Sequence, residues 1–165
     1  MNQDYDVLIV GGGMVGATLA CALGGSSLRV GLLEDSPPAK FDPGQPHDLR
    51  VSAVSIASAN ILKTIGAWSG VTGRRLCPYR RMRVWEDSGD VEFCSDEINE
   101  PVLGHIVENR VIQLAVLERA HQFKNVEVIS GVKTQALCYA AEGSSVTLED
   151  GRVLKSRLIV AADGG

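Results

Sequence analysis

Residues 5–16, YDVLIVGGGMVG, constrain this chain more than any other stretch. A mostly apolar run, Tyr5 to Val10, stops at three consecutive glycines, and the residues from Met14 to Leu23 are then small or apolar. A short apolar run closed by glycine suits a strand buried on both faces in a parallel sheet. The small residues behind it suit a helix packed on that sheet, ended by Gly24-Gly25-Ser26-Ser27. Leu28 to Glu34 is a second apolar strand with an acid at its tip. Strand, helix and strand within about 30 residues make a βαβ unit with a right-handed crossover.

Gly11-Gly12-Gly13-Met14-Val15-Gly16 fits the pattern G-x-G-x-x-G between strand and helix. Gly11 permits the tight turn, Gly13 lets the backbone approach a pyrophosphate, and Gly16 lets the helix pack close to the strand. Free amides at the helix N-terminus hold the pyrophosphate charge. Met14 and Val15, between the last two glycines, join the cofactor-binding candidates. Glu34 lies where a carboxylate accepts hydrogen bonds from a ribose diol, and its charge disfavours a 2′-phosphate. The simpler alternatives are a glycine turn that binds nothing and an ordinary strand-end acid. FAD and NAD share this fingerprint, so it does not choose between them.

The rest of the chain departs from a plain βα repeat. Asp35 to Asp48 holds four prolines and is expected to be a loop. Ser55–Ala67 and Asn109–Phe123 are expected to be helices. Met82–Glu86 and Val91–Cys94 alternate around Ser88-Gly89-Asp90, a hairpin signal. The tail predicts strands over Val126–Ile129, Val132–Leu137, Ser145–Leu148, Val153–Lys155 and Leu158–Ala162. The fold class expected is α/β, a Rossmann-like domain with a βαβ start, a β-meander and a return strand. The whole chain, 1–165, is read as one such domain, with the start of an inserted section over about 68–105.

The charge and composition narrow the partners. A net charge of −4 and 5% aromatic residues give no reason to expect nucleic acid. No apolar run approaches the roughly 18 residues of a membrane span. The polar, acidic start lacks a basic targeting segment. Four scattered cysteines without a C-x-x-C pair suggest reduced, mostly buried thiols in a cytoplasmic protein and no metal site. Arg74, Arg75, Arg80, Arg81 and Arg83 form a basic cluster, either a solvated, ion-paired face or an attraction for anionic lipid. His105 beside an apolar run is expected to be structural, and Trp68 and Trp85 to be packing residues.

The last strand, Arg157-Leu158-Ile159-Val160-Ala161-Ala162-Asp163-Gly164, resembles the return strand of the para-hydroxybenzoate hydroxylase group of flavoprotein monooxygenases, with Ala161 where glycine is commoner. Within that group the chain is similar to the ubiquinone-biosynthesis hydroxylases. The likeness rests on Val10–Gly16, Leu49–Ser55, Tyr79–Trp85 and the run Gly104-His105-Ile106-Val107-Glu108-Asn109. It implies an FAD-dependent monooxygenase that hydroxylates a polyprenylated phenol or quinol ring with O2, taking electrons transiently from NAD(P)H. It further implies that Arg50 approaches the FAD phosphates and ribose, that Asn109 faces the cofactor, that Asp163 bonds the ribityl chain, and that Val132 presents backbone atoms to adenine. Asn109 also suits a plain helix cap. No catalytic side chain is identified. The partners implied are the lipid-tailed aromatic substrate and O2, with other ubiquinone-pathway proteins or a membrane surface, at the inner membrane face, as further candidates. The resemblance covers an N-terminal part, with a second flavin motif and most of the substrate region absent, so the piece is expected to bind FAD weakly or not at all and not to hydroxylate alone. Other FAD oxidoreductases of the same fold and a non-catalytic nucleotide-binding module remain alternatives.

Overall fold

The structure, a computed structural model, describes residues 3–140 and 143–164. In chain order the elements are β1 (Tyr5–Val10), α1 (Met14–Ala22), β2 (Val30–Glu34), β3 (Val51–Ser55), α2 (Ile56–Thr64), α3 (Trp68–Thr72), β4 (Cys77–Tyr79), β5 (Arg81–Glu86) and β6 (Gly89–Cys94). A 3-10 turn (Ser95–Ile98) leads to β7 (Gly104–Glu108), α4 (Asn109–Ala120), β8 (Val126–Ser130), β9 (Thr134–Ala140), β10 (Gly143–Leu148) and β11 (Val153–Ala161). They group into two compact units. One holds the chain up to Lys40 and from Gln113 onward; the other is Phe41–Ile112.

The first unit is built on a six-stranded sheet of order β8-β2-β1-β11-β10-β9. Its first four strands are parallel, and β10 and β9 continue it antiparallel. Consecutive residues Leu8 and Ile9 both have no exposed surface, so β1 is covered on both faces. That is why its sequence is continuously apolar rather than alternating. Ala17 and Ala20 of α1 are also fully buried, their small side chains giving a close helix–strand approach. Tyr5, Leu8, Val10, Leu33, Val146 and Leu148 form a buried apolar cluster.

Three expectations in this unit need correction. The two strands expected over Val153–Lys155 and Leu158–Ala162 are one strand, β11. Ser156, at its middle, faces Ser144 of β10 on one side and Tyr5 of β1 on the other. Although fully buried, its hydroxyl donates to the Leu158 carbonyl at 2.8 Å, so a polar residue does not break the strand. Val132 lies before β9 rather than in a strand, because Gly131 turns the chain with φ 72°. The second strand begins at Val30 rather than Leu28.

The second unit carries the sheet β3-β7-β4 and the separate hairpin β5-β6. Ser55 caps α2 by accepting the Ser58 amide at 3.2 Å, and the helix stops before Gly66, where φ is 80°. β3, β4 and β7 are strands that carry no clear strand signal in the sequence. Their residues pair antiparallel across long chain separations, for example Val51 with Glu108. The hairpin is confirmed, in register Met82 with Phe93 and Val84 with Val91. Trp85 on it is 72% exposed and is not a packing residue within this chain. Trp68 does pack, its ring edge-on to His105 at 5.3 Å.

Candidate nucleotide-binding site

The C-terminal ends of β1, β2 and β11 open onto one cavity of about 600 Å³ in the first unit. The glycine turn makes its floor. Gly11 has φ 104°, a left-handed conformation that glycine adopts without strain, and a Cβ there would lie 2.4 Å from the Ala162 carbonyl oxygen. The turn is pinned by Gly11 N–H donating to Leu33 O at 2.9 Å and Ala162 N–H to Val10 O at 2.7 Å. A Cβ on Gly16 would lie 2.0 Å from the Gly11 oxygen, so helix and turn touch there through backbone alone. Gly13 is the N-cap of α1 and supplies no side-chain cap, and the first turn has no acidic residue. The amides and dipole of that turn are therefore left for an outside anion.

Glu34, at the tip of β2, is 8% exposed and lines the same cavity. Its Oε1 accepts the Ser36 amide at 2.8 Å and its Oε2 accepts from Gln113 Nε2 at 3.3 Å. The Gln113 amide also donates to Gly12 O at 3.1 Å. Gly12 matters for a reason the fingerprint does not state: a Cβ there would lie 2.7 Å from Glu34 Oε2. The glycine turn, the acid and Gln113 are thus one packed group. Each carboxylate oxygen has two lone-pair sites and gives one to the protein, which leaves acceptor capacity toward the cavity.

Of the residues expected to bind a cofactor, Gly11, Gly13, Met14, Val15, Glu34, Val132 and Asp163 all line this one cavity, and Gly16 supports its floor. Val132 does so from a loop, its N–H directed to Glu34 O at 3.4 Å. Arg50 and Asn109 belong to the second unit. There, Asn109 opens α4 with its Oδ1 accepting from Ser52 Oγ at 2.7 Å and its N–H donating to Arg50 O at 3.0 Å. The Asn109 side chain is thus held by β3. The sequence reading missed Gln113 and Gly12. One signal for Gln113 was available: it is polar between Val111, Ile112, Ala115 and Val116, which are all buried.

Four of the five arginines of the basic cluster make contacts within the chain. Arg75 pairs with Glu108 at 2.6 Å, Arg81 with Glu92 at 3.7 Å, and Arg83 with Asp90. Arg74 lies over the Phe41 ring at 5.9 Å. Burial, with the nearby Lys63 charge, lowers the His105 pKa, so at neutral pH this imidazole is an uncharged packing group. Among the described residues, no group of three or more His, Cys, Asp or Glu side chains could hold a metal ion, and no helix is long and apolar enough to cross a membrane.

A nucleotide diphosphate fits this donor set: a left-handed glycine turn without Cβ atoms, an uncapped helix start, and a fixed carboxylate beside them. No family model matches the chain. It is 36% identical over 164 residues to the 3-demethoxyubiquinol 3-hydroxylase of Escherichia coli (strain K12), covering 99% of this chain and 42% of that protein. It is 35% identical over 174 residues to the mitochondrial ubiquinone biosynthesis monooxygenase COQ6 of Drosophila melanogaster, covering 99% of this chain and 36% of that one. The chain therefore spans well under half the length of these relatives. Among solved structures, pqsL from Pseudomonas aeruginosa, described as a probable FAD-dependent monooxygenase, superposes with TM-score 0.70 at 27% identity, over 97% of this chain and 42% of that one. The flavin-dependent monooxygenase PieE, solved with FAD and substrate, superposes with TM-score 0.75 at 18% identity over 99% of this chain and 31% of its own, a likeness of fold alone. The α/β fold expected from the glycine pattern is borne out, and the resemblance seen in the four sequence stretches extends along nearly the whole chain.

Proposed function

We propose that this chain, homologous along its length to the ubiquinone-biosynthesis hydroxylases, forms the FAD-binding part of a monooxygenase that hydroxylates a polyprenylated phenol or quinol ring. One observation carries the reading. The glycine turn, Glu34 and Asp163, chosen from sequence alone, line a single cavity at the ends of the parallel strands. Such strand ends, at the first βα turn, are where dinucleotides bind in open α/β sheets.

In this reading the start of α1 receives the pyrophosphate and Glu34 accepts from the adenosine ribose. The loop at Val132 borders the adenine, and Asp163 faces the ribityl chain. Arg50 and Asn109 keep, as proposals, the cofactor roles that the resemblance gives them. FAD, when bound, supplies the redox and oxygen chemistry. The chain's residues bind and orient it, and Gly11 and Gly16 keep the floor clear of side chains. NAD(P)H is the proposed electron donor, and O2 and a lipid-tailed aromatic ring are the proposed substrates.

The test is a titration of the protein with FAD, followed by flavin fluorescence and absorbance, with NAD as competitor. Saturable FAD binding that Glu34→Ala and Gly11→Val both weaken supports the proposal. Binding of NAD in place of FAD would overturn it. Hydroxylation is then assayed with a prenylated phenol, NAD(P)H and O2 in the longest natural form of the protein.

A further inference from the structure

Glu34 is the acid that the proposed site needs, yet nothing in its own strand holds the distal carboxylate oxygen. That oxygen is held by Gln113, 79 residues later in the chain. One nitrogen, Nε2, donates to both Glu34 Oε2 (3.3 Å) and Gly12 O (3.1 Å), so the amide bridges the acid and the glycine turn. Gln113 lines the cavity together with Glu34. A side chain of any size on Gly12 would strike the Glu34 carboxylate, so acid and turn are already in contact, and Gln113 sets how they lie.

Resting on the cofactor reading above, we infer that Gln113 is a positioning residue that fixes the Glu34 carboxylate for a ribose 2′,3′-diol and so sets the preference of the site for adenosine over 2′-phosphoadenosine nucleotides. The chemistry is direct. A carboxylate with one oxygen held by a backbone amide and the other by a side-chain amide is restrained in both torsion and position. Its remaining lone pairs then point to a defined place, where two hydroxyls donate and a phosphate dianion is repelled. Released from Gln113, the carboxylate keeps its charge and loses its aim. Donation from Gln113 also biases which lone pairs are used, in favour of those facing the cavity. The Gly12 carbonyl bond makes the effect reach the turn that holds the pyrophosphate.

The experiment measures ADP-ribose and 2′-phospho-ADP-ribose binding by titration calorimetry, in wild type, Gln113→Met, Glu34→Gln and the double variant. Gln113→Met keeps the volume and removes both donations. It is expected to weaken ADP-ribose about tenfold, the loss of a hydrogen bond to a charged group, and to narrow the preference over the 2′-phosphate. In the Glu34→Gln background the same substitution is expected to have less than about a twofold effect, because Gln113 acts through the acid. Gln113→Glu provides the second variant: it removes the amide donor and sets a second carboxylate beside Glu34, so it should weaken ADP-ribose at least as much as Gln113→Met. Equal weakening by Gln113→Met in both backgrounds, or unchanged affinity and preference in wild-type and variant protein, overturns the inference while leaving the cofactor site intact. No ADP-ribose binding by the wild type, with FAD also refused, overturns the site itself.

Discussion

Arg75 and Glu108 give the sharpest test of how the second unit is held. The guanidinium donates to both carboxylate oxygens, at 2.6 and 3.3 Å, and to the carbonyls of Gln45 and Pro46 at 3.0 and 3.1 Å. It also lies 5.2 Å from the Phe41 ring, so one side chain ties the proline-rich loop to the end of β7. Glu108 is 4% exposed, and without Arg75 only the Asp48 amide, the His47 charge and Arg110, at 4.0 Å, remain to offset its charge. Breaking a buried pair costs about 3–5 kcal/mol, and since Arg75 is 21% exposed the lower end applies, about 3 kcal/mol for Arg75→Met. At this chain length that lowers Tm by roughly 10 °C. The sign of the pH dependence follows from the carboxyl. Burial alone would raise it, but Arg75, the Asp48 amide and the His47 charge together hold it below the ordinary 4.5. In the wild type its contribution is therefore present above about pH 4.5 and lost as pH falls through the depressed value. In Arg75→Met the carboxyl loses its strongest lowering partner and moves up, so the cost is full at pH 7 and shrinks as the pH falls. Denaturant unfolding at pH 7 and pH 4.5, followed by Trp68 fluorescence, reads both. Adding Glu108→Met should recover about 1 kcal/mol, because it removes the buried carboxylate and leaves beside it only Arg110, which is 23% exposed. A cost independent of pH, or no recovery in the double variant, would refute the charge argument and leave only lost packing.

Three further outcomes follow from local structure. Gly11→Ala places a Cβ 2.4 Å from the Ala162 oxygen at φ 104°, and should cost at least about 2 kcal/mol by thermal unfolding and abolish FAD binding. Against the mostly buried thiols expected, only Cys21 is buried, which pushes its thiol up to about 11, while Cys77 and Cys138 are exposed and Cys94 is half-buried. Iodoacetamide at pH 8 should label Cys77 and Cys138 fastest, Cys94 more slowly, and leave Cys21 unmodified until unfolding. The amides of β5 and β6, a hairpin outside both larger sheets, should exchange with solvent orders of magnitude faster than those of β1 and β2, as followed by hydrogen–deuterium exchange. Equal protection in the hairpin would mean that its apolar Met82, Val84, Val91 and Phe93 face is covered in solution.

What was legible in the sequence was what neighbours along the chain decide. The βαβ start could be read because Tyr5–Val10, the glycines, the small helix residues and Glu34 each answer a demand made within about 30 residues. The β5-β6 hairpin was legible for the same reason. Asp163 was legible only through resemblance, although the strand that carries it was apolar enough to predict. Its continuity was not, since the polar Ser156 and Arg157 looked like a break. The break closes because Ser156 finds an acceptor two residues on and Arg157 reaches Asp6 at 3.5 Å. β3 escaped because Val51-Ser52-Ala53-Val54-Ser55 has little apolar alternation, and its strand character is supplied by β7, about 50 residues away.

The residues hardest to read are also those that join these local pieces, and they share a physical signature. Gln113 and Arg75 are polar or charged side chains whose partners are an acid from elsewhere in the chain and a backbone carbonyl. A polar side chain in such a place is a cost unless the fold brings its partners to it, so its presence among apolar neighbours is itself information. In α4 the run Val111-Ile112-Gln113-Leu114-Ala115-Val116 contains one such residue, at the position where Glu34 and the Gly12 carbonyl need a donor. Periodicity finds the face of the helix, but only the tertiary structure says that the exception on that face completes the site. Where a nucleotide fingerprint has its glycines and its acid, the next residue to seek is therefore the half-buried donor that holds the acid in place.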